Sequence, residues 1–300
     1  MEPWIWITFC AAAFQTVRFM LQKQLSTVAL TAAGATFARF IYSAPLVLLL
    51  LPLYLWASAQ AMPALSVAFW VYALIGGLAQ ILATVCVVAL FKRRNFAVGI
   101  TFKKTEVVQT AAVGLIVLGE GVSFGALMAI LLGLAGVLVL SDMPEIDGAW
   151  RKRVMNRAAG LGLLSGVLFA VSGVTYRGAS LELASDDPGL RALVTLAVVA
   201  TAQMLALGAW LLWREPGQVG RVLAAHRVAK WIGLSSMAGS LCWFTAFTLQ
   251  NAAYVNAVGQ VELVFSLIVS TLVFGERLTV KEAAGIALVT GSVLALILLV

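Results

Sequence analysis

Apolar runs of about twenty residues, separated by short polar stretches, recur along this whole chain. A helix needs a run of that length to cross the hydrocarbon core of a bilayer. The pattern therefore predicts ten spans, at 4–22, 32–56, 66–91, 95–118, 123–141, 158–180, 189–213, 230–249, 253–274 and 280–299. Most connections are short. The two longest, 142–157 and 214–229, carry Pro144, Pro216 and many charged residues, as solvated loops do. Trp4, Trp6, Trp56, Trp70, Trp150, Trp210, Trp213 and Trp231 lie near span ends, where an aromatic belt is expected. Trp243 instead falls deep in the eighth span. The first run, from Trp4, lacks a basic leader and a small-residue cleavage site, so it reads as a retained helix.

Composition agrees with that reading. The chain is 62% hydrophobic and 11% charged, against roughly half and a quarter in soluble domains. Its net charge of +7 does not point to nucleic acid, because the basic residues sit in short loops between apolar runs. Loops after odd-numbered spans hold Lys23, Lys92, Arg93, Arg94, Arg151, Lys152, Arg153, Arg214, Arg221, Arg277 and others, whereas the even-numbered loops contribute little beyond Arg191. The positive-inside rule then puts the odd loops in the cytoplasm and both termini on the non-cytoplasmic side. Cys10, Cys86 and Cys242 all fall inside apolar runs, outside any CxxC or Cys/His cluster, so neither disulfide nor metal is expected. The sole histidine, His226, lies in a loop, and no GxSxG or P-loop occurs. An enzyme, a cofactor and a nucleic-acid partner are accordingly not expected.

An internal repeat organises the chain at a period of about 156 residues. "NFAVGITFKKTEVVQTAAVGLIVLGE", ending at Glu120, aligns without gaps on "NAAYVNAVGQVELVFSLIVSTLVFGE", ending at Glu276. Asn95 falls on Asn251, Glu106 on Glu262, and Gly119-Glu120 on Gly275-Glu276. An odd number of crossings per repeat makes the halves enter the membrane from opposite sides. Inverted repeats of this kind build secondary transporters, with the solute site near the midplane where the repeats meet.

These residues resemble the drug/metabolite transporter superfamily, and more closely its EamA-like branch. "VELVFSLIVSTLVFGERLT" followed by "AAGIALVTGSVLAL" is similar to the family's "EPxxA…LGExL" and the glycine-bearing helix after it. "TEVVQTAAVGLIVLGEGVS" with "LLGLAGVLVL" is the first-half counterpart. The resemblance implies an all-α integral membrane fold of ten transmembrane helices in two inverted five-helix repeats. Residues 1–141 form the first, 142–157 the connecting loop, and 158–300 the second. Two departures stand out. The proline that usually follows the mid-helix glutamate is replaced by Val107 and Leu263, which removes the residue expected to break those spans. The first half also sets Lys103-Lys104 just before its glutamate, as do anion-binding relatives that carry sugar phosphates and nucleotide sugars.

Charge at the bilayer centre costs roughly 2.5–3.5 kcal/mol per group on insertion scales, so such groups face a cavity or pair with one another. Lys103 and Glu106 are i, i+3 and can meet on one face. Either they form an internal ion pair or Lys103 lines a solute cavity. Lys104, turned by one residue, is left unpaired by Glu106 and asks for an anion, from the solute or from Glu262. Glu262 has no basic neighbour in its own span. It either binds a proton linked to transport or hydrogen-bonds a helix end. Asn256 and Gln260 share one face of the ninth span, and Gln260 is the repeat mate of Lys104. Gln15 and Arg39 are further candidates for binding, with Arg18 and Tyr176 weaker ones. Trp243 either stacks on solute or packs, and Arg177 reads as an interface anchor. Gly162 with Gly166, Ala129 with Gly133, and Ser235 with Gly239 are small-residue pairs that let helices approach.

The expectation is a secondary transporter of a small metabolite, exporting across a bacterial inner membrane by alternating access. The favoured solute is an amino acid or another carboxylate- or phosphate-bearing molecule, with protons as a candidate co-substrate. A monomer is expected, a dimer being left open. The alternatives are a flippase for lipid-linked sugars and an exporter of cationic drugs.

Overall fold

The computed structural model describes residues 2–28, 30–91, 102–140, 157–265 and 279–299. Within them the regular structure is α-helical throughout. In chain order the helices are α1 (Pro3–Val28), α2 (Ala32–Ser58), α3 (Val67–Phe91), α4 (Glu106–Leu118), α5 (Phe124–Leu140), α6 (Arg157–Leu181), α7 (Pro188–Arg214), α8 (Gln218–Ala224), α9 (His226–Leu249), α10 (Ala252–Gly259) and α11 (Val280–Leu299). Six of them, α1, α2, α3, α6, α7 and α9, are long and apolar enough to cross a membrane, while α4, α5 and part of α11 are shorter apolar helices. Residues 95–101 and 266–274 of the fourth and ninth expected spans lie outside the described residues. So do the connecting loop up to 156, Lys92, Arg93, Arg94, Trp150, Arg277 and the Gly275-Glu276 end of the repeat.

Helix ends follow local chemistry. Thr31 caps α2 by accepting from the Gly34 N–H at 3.0 Å. Asp187 caps α7 by accepting from the Gly189 N–H at 2.8 Å, with Pro188 supplying the preset first turn. Asn251 does the same for α10 through the Ala253 N–H at 2.9 Å. Helix α4 stops at Gly119, whose φ of 69° suits a residue without a side chain and turns its N–H back to the Gly114 carbonyl.

The outward surface is apolar. Leu49, Leu53, Trp56, Ile116, Leu212 and Trp213 stand exposed, an arrangement that water would penalise and lipid accommodates. Trp4 departs from the aromatic belt expected of it: it is buried and its indole donates to Glu2 at 2.8 Å. Inside, the closest helix pairs are α3 with α6, α5 with α11, α1 with α9, and α2 with α7. The α5–α11 contact is made backbone to backbone. A Cβ on Gly136 would meet Leu288 Cβ at 2.8 Å and the Val289 nitrogen at 2.9 Å, and Gly285 sits equally close to the Gly136 carbonyl. One helical turn along, Ser292 donates to the Ala129 carbonyl at 2.7 Å beside Gly133. The small-residue spacing in this span is thus a contact surface.

Both mid-span breaks are present although the prolines are missing, which corrects the expectation drawn from Val107 and Leu263. Residues 102–103 are helical, 104–105 form a turn, and α4 begins at Glu106. In the second half α10 ends at Gly259, Gln260 turns, and helix resumes over 261–265. The first break has a local cause. The Thr105 hydroxyl donates to the Phe102 carbonyl at 2.7 Å and accepts from Gln109 at 3.0 Å, which competes with helical bonding. Glu106 then stands in a first turn, where a carboxylate favours the helix N-terminus. The second break falls at a glycine, a poor helix former. There a Cβ would come within 2.4 Å of the Trp243 ring.

Candidate functional site

The two breaks face one another across an interior cavity walled by α1, α2, α3, α4, α6, α9 and α10. With the space at its open mouth excluded, the cavity holds about 50 Å³. Because each break turns its helix near the cavity, residues on either side of it reach inward. Lys103 and Glu106 do so from the first break, and Asn256, Gln260 and Glu262 from the second.

Lys103 pairs with Glu106 at 2.9 Å and lies 5.0 Å from the centroid of the Phe169 ring. Lys104 points the other way. It forms an ion pair with Glu262, across 158 residues of sequence, and borders a smaller pocket with Val107, Ile130 and Ser292. Of the two anions the sequence left open for Lys104, a solute or Glu262, the structure sets Glu262 beside it, so Glu262, without a basic neighbour in its own span, has one from the other break. The remaining Glu262 oxygen accepts from Gln15 at 2.6 Å, so the carboxylate ties α1 to both breaks.

The guanidinium groups are held differently. Arg18, on α1, donates to the side chains of Gln22 at 3.4 Å and Gln15 at 3.3 Å and lies 4.3 Å from the centroid of the Phe19 ring. Arg39, on α2, donates to Ser236 at 2.6 Å and Ser240 at 2.9 Å on α9. Both side chains line the cavity and both are buried, at 3% and 4% exposure. They are close enough to repel one another. Four cations, Arg18, Arg39, Lys103 and Lys104, thus meet two carboxylates, Glu106 and Glu262, and the lysines consume both. The surplus positive charge resides on the arginines.

Unsatisfied polar atoms gather in the same place. Arg39 Nη1, Trp243 Nε1 and Gln260 Oε1 are buried without a hydrogen-bond partner among the described residues, and all three residues line the cavity. Burying a donor or acceptor unpaired costs about 1–3 kcal/mol, so orphaned groups clustered in a cavity mark a place where a ligand can complete them. Opposite them stand aromatic walls. Trp243 stacks on Phe247 with centroids 5.6 Å apart, and Phe244 stacks on Tyr176 at 4.3 Å. The Tyr176 hydroxyl donates within a buried network formed with Gln80, Gln203 and the Gly76 carbonyl. Asn256 is fixed by donating to Thr110 at 2.9 Å.

Of the residues singled out in the sequence, Gln15, Arg39, Lys103, Glu106, Trp243, Asn256, Gln260 and Glu262 line this one cavity, and Lys104 lies behind it. Arg18 and Tyr176 line it too. Sequence reasoning missed Gln80, Ser172, Ser240 and two members of the aromatic wall, Phe244 and Phe247. One signal was readable: Ser236, Ser240 and Trp243 recur at i, i+4 and i+7, a polar stripe down one face of α9. Arg177 is corrected as well. It pairs with Glu120 at 2.7 Å and donates to the Phe247 carbonyl at 2.7 Å, tying the ends of α4, α6 and α9 together.

Helices with apolar outer faces thus surround a charged interior cavity. Residues 156–298, just under half of the chain, match the model of the EamA-like transporter family. No curated protein matches the chain. Twenty-six chains among solved structures do. One of these, described as "Crystal structure of protein", superposes with a TM-score of 0.69 at 17% identity, over 97% of this chain and 99% of that one. At that identity the likeness concerns the fold. The apolar helices and that match make the chain a multi-pass membrane protein, and the matched family is one of small-solute transporters.

Proposed function

We propose that the chain is a secondary transporter that moves a small anionic metabolite by alternating access around the cavity between the two helix breaks. The observation that carries this reading is the charge of the cavity: Arg18, Arg39 and Lys103 face Glu106 and Glu262 there, with Lys104 paired to Glu262 from behind and orphaned donors on Arg39 and Trp243. Solutes bearing a carboxylate or phosphate, amino acids among them, fit a site of that sign. A cationic drug would add to the repulsion.

The two-repeat organisation, 1–141 and 158–300 around the loop 142–157, is part of the proposal. Exchanging the halves carries the α3–α6 contact onto the α9–α1 contact, and returns the α2–α7 and α5–α11 contacts onto themselves. Such a packing pattern suits ten spans built as inverted repeats, and lets one half rock against the other around a fixed site. On the loop charges the odd-numbered loops face the cytoplasm, and export from a bacterial inner membrane is the direction we assign.

A thermal-shift screen of the purified protein against amino acids, sugar phosphates, nucleotides and cationic drugs tests the reading. Stabilisation by one or more anion-bearing solutes is expected. Stabilisation by cations alone would sink it.

A further inference from the structure

Resting on the transporter reading above, we infer that the solute is a dianion, a small dicarboxylate or a phosphate monoester, and that Arg18 and Arg39 rather than the lysines recognise its charge. Lys103 and Lys104 are internal counter-ions: each is committed to a glutamate, and removing either pair as a unit leaves the cavity's charge unchanged. The arginines have no carboxylate partner among the described residues. Two buried guanidinium groups left without counter-charge are costly inside a membrane protein, where ionised side chains otherwise pair. A zwitterion compensates neither and a monoanion one. A dianion compensates both.

The geometry supplies the contact point. Ser236 and Ser240 take two of the Arg39 nitrogens and fix the guanidinium plane, leaving Nη1 buried and without a partner. Planar guanidinium forks are suited to carboxylate and phosphate oxygens. Trp243, one turn beyond Ser240 on the same face of α9, adds a second orphaned N–H. Arg18 is kept off Glu262 by Gln15, whose amide donates to that carboxylate and whose oxygen accepts from Arg18. Gln15 thereby holds the arginine out of the lysine–glutamate pairing and available to a solute.

The test is binding to the purified full chain at pH 7.5, read by thermal shift and titration calorimetry. Succinate, 2-oxoglutarate, glycerol 3-phosphate and glucose 6-phosphate are compared with succinamate, a monoanion, and 4-aminobutanoate, a zwitterion of similar length. At least one dianion is expected to bind about tenfold or more tightly than both comparison compounds. The carboxylate and phosphate arms separate the two sources of charge. Arg39→Gln and Arg18→Gln are each expected to lose about tenfold for that dianion and to narrow its preference over the monoanion. Lys103→Met/Glu106→Gln and Lys104→Met/Glu262→Gln are expected to keep the preference. If a monoanion or zwitterion binds best, or no dianion binds, the inference is overturned while anionic transport stands or falls on the wider screen. If the arginine variants fold and bind the dianion as wild type does, the assignment to arginine is overturned. If only cations bind, both readings fail.

Discussion

Lys104→Met is expected to destabilise the protein by about 3 kcal/mol, because removing one partner of a buried ion pair strands the other charge. Glu262 is the stranded group. Its side chain is 12% exposed, and the Gln15 amide that donates to it carries no charge. Thermal unfolding in detergent would show a fall of roughly 6–12 °C. Adding Glu262→Gln removes the orphaned charge, so the double variant is expected to recover most of the loss. Were the double variant as unstable as the single one, Lys104 would be packing rather than pairing. The pair matters beyond its energy because it joins the two helix breaks, which no other described ion pair does.

The second large effect concerns the α5–α11 contact. Gly136→Ala puts a methyl group against backbone, 2.9 Å from the Val289 nitrogen and 3.0 Å from the Gly285 carbonyl, where no rotamer change relieves it. Overpacking of this kind costs about 1–3 kcal/mol and forces the helices apart. Gly291→Ala, also on α11, meets nothing within 4 Å and gains helix propensity of up to about 1 kcal/mol. The two substitutions are therefore expected to shift the unfolding temperature in opposite directions. Equal shifts would mean that the close approach carries no strain.

The periodicity of apolar runs made the helical, membrane-spanning character legible, because span length is set by the bilayer rather than by packing detail. The repeat was equally open to reading, since Asn95 and Asn251, Glu106 and Glu262 occur at one offset. The breaks were harder. Proline was absent, and the groups that replace it, Thr105 and Gly259, are common in unbroken membrane helices. Pairings within one helix, such as Lys103 with Glu106, follow from spacing. Lys104 with Glu262 does not, because it depends on how two breaks approach in space. Arg18 and Arg39 were candidates from the sequence, but their partners were not readable: the α9 hydroxyls of Ser236 and Ser240 and the α1 amides of Gln15 and Gln22 meet them only in the fold. Arg177 also lies near a helix end, and only the position of Glu120 reveals it as a latch.

The surplus charge on Arg18 and Arg39 bears on how the carrier cycles. In the proposed mechanism, occluding the empty cavity would take two guanidinium groups away from water with no counter-charge, at several kcal/mol per ion. A filled cavity occludes electrically balanced. Each uncompensated charge carried across the membrane would in addition feel about 2.3 kcal/mol per 100 mV of potential. The loaded carrier therefore returns more easily than the empty one, and in proteoliposomes one-for-one exchange should outpace net flux. Net flux as fast as exchange would contradict this. On the proposed mechanism, a solute that balances both positive charges favours exchange over net flux.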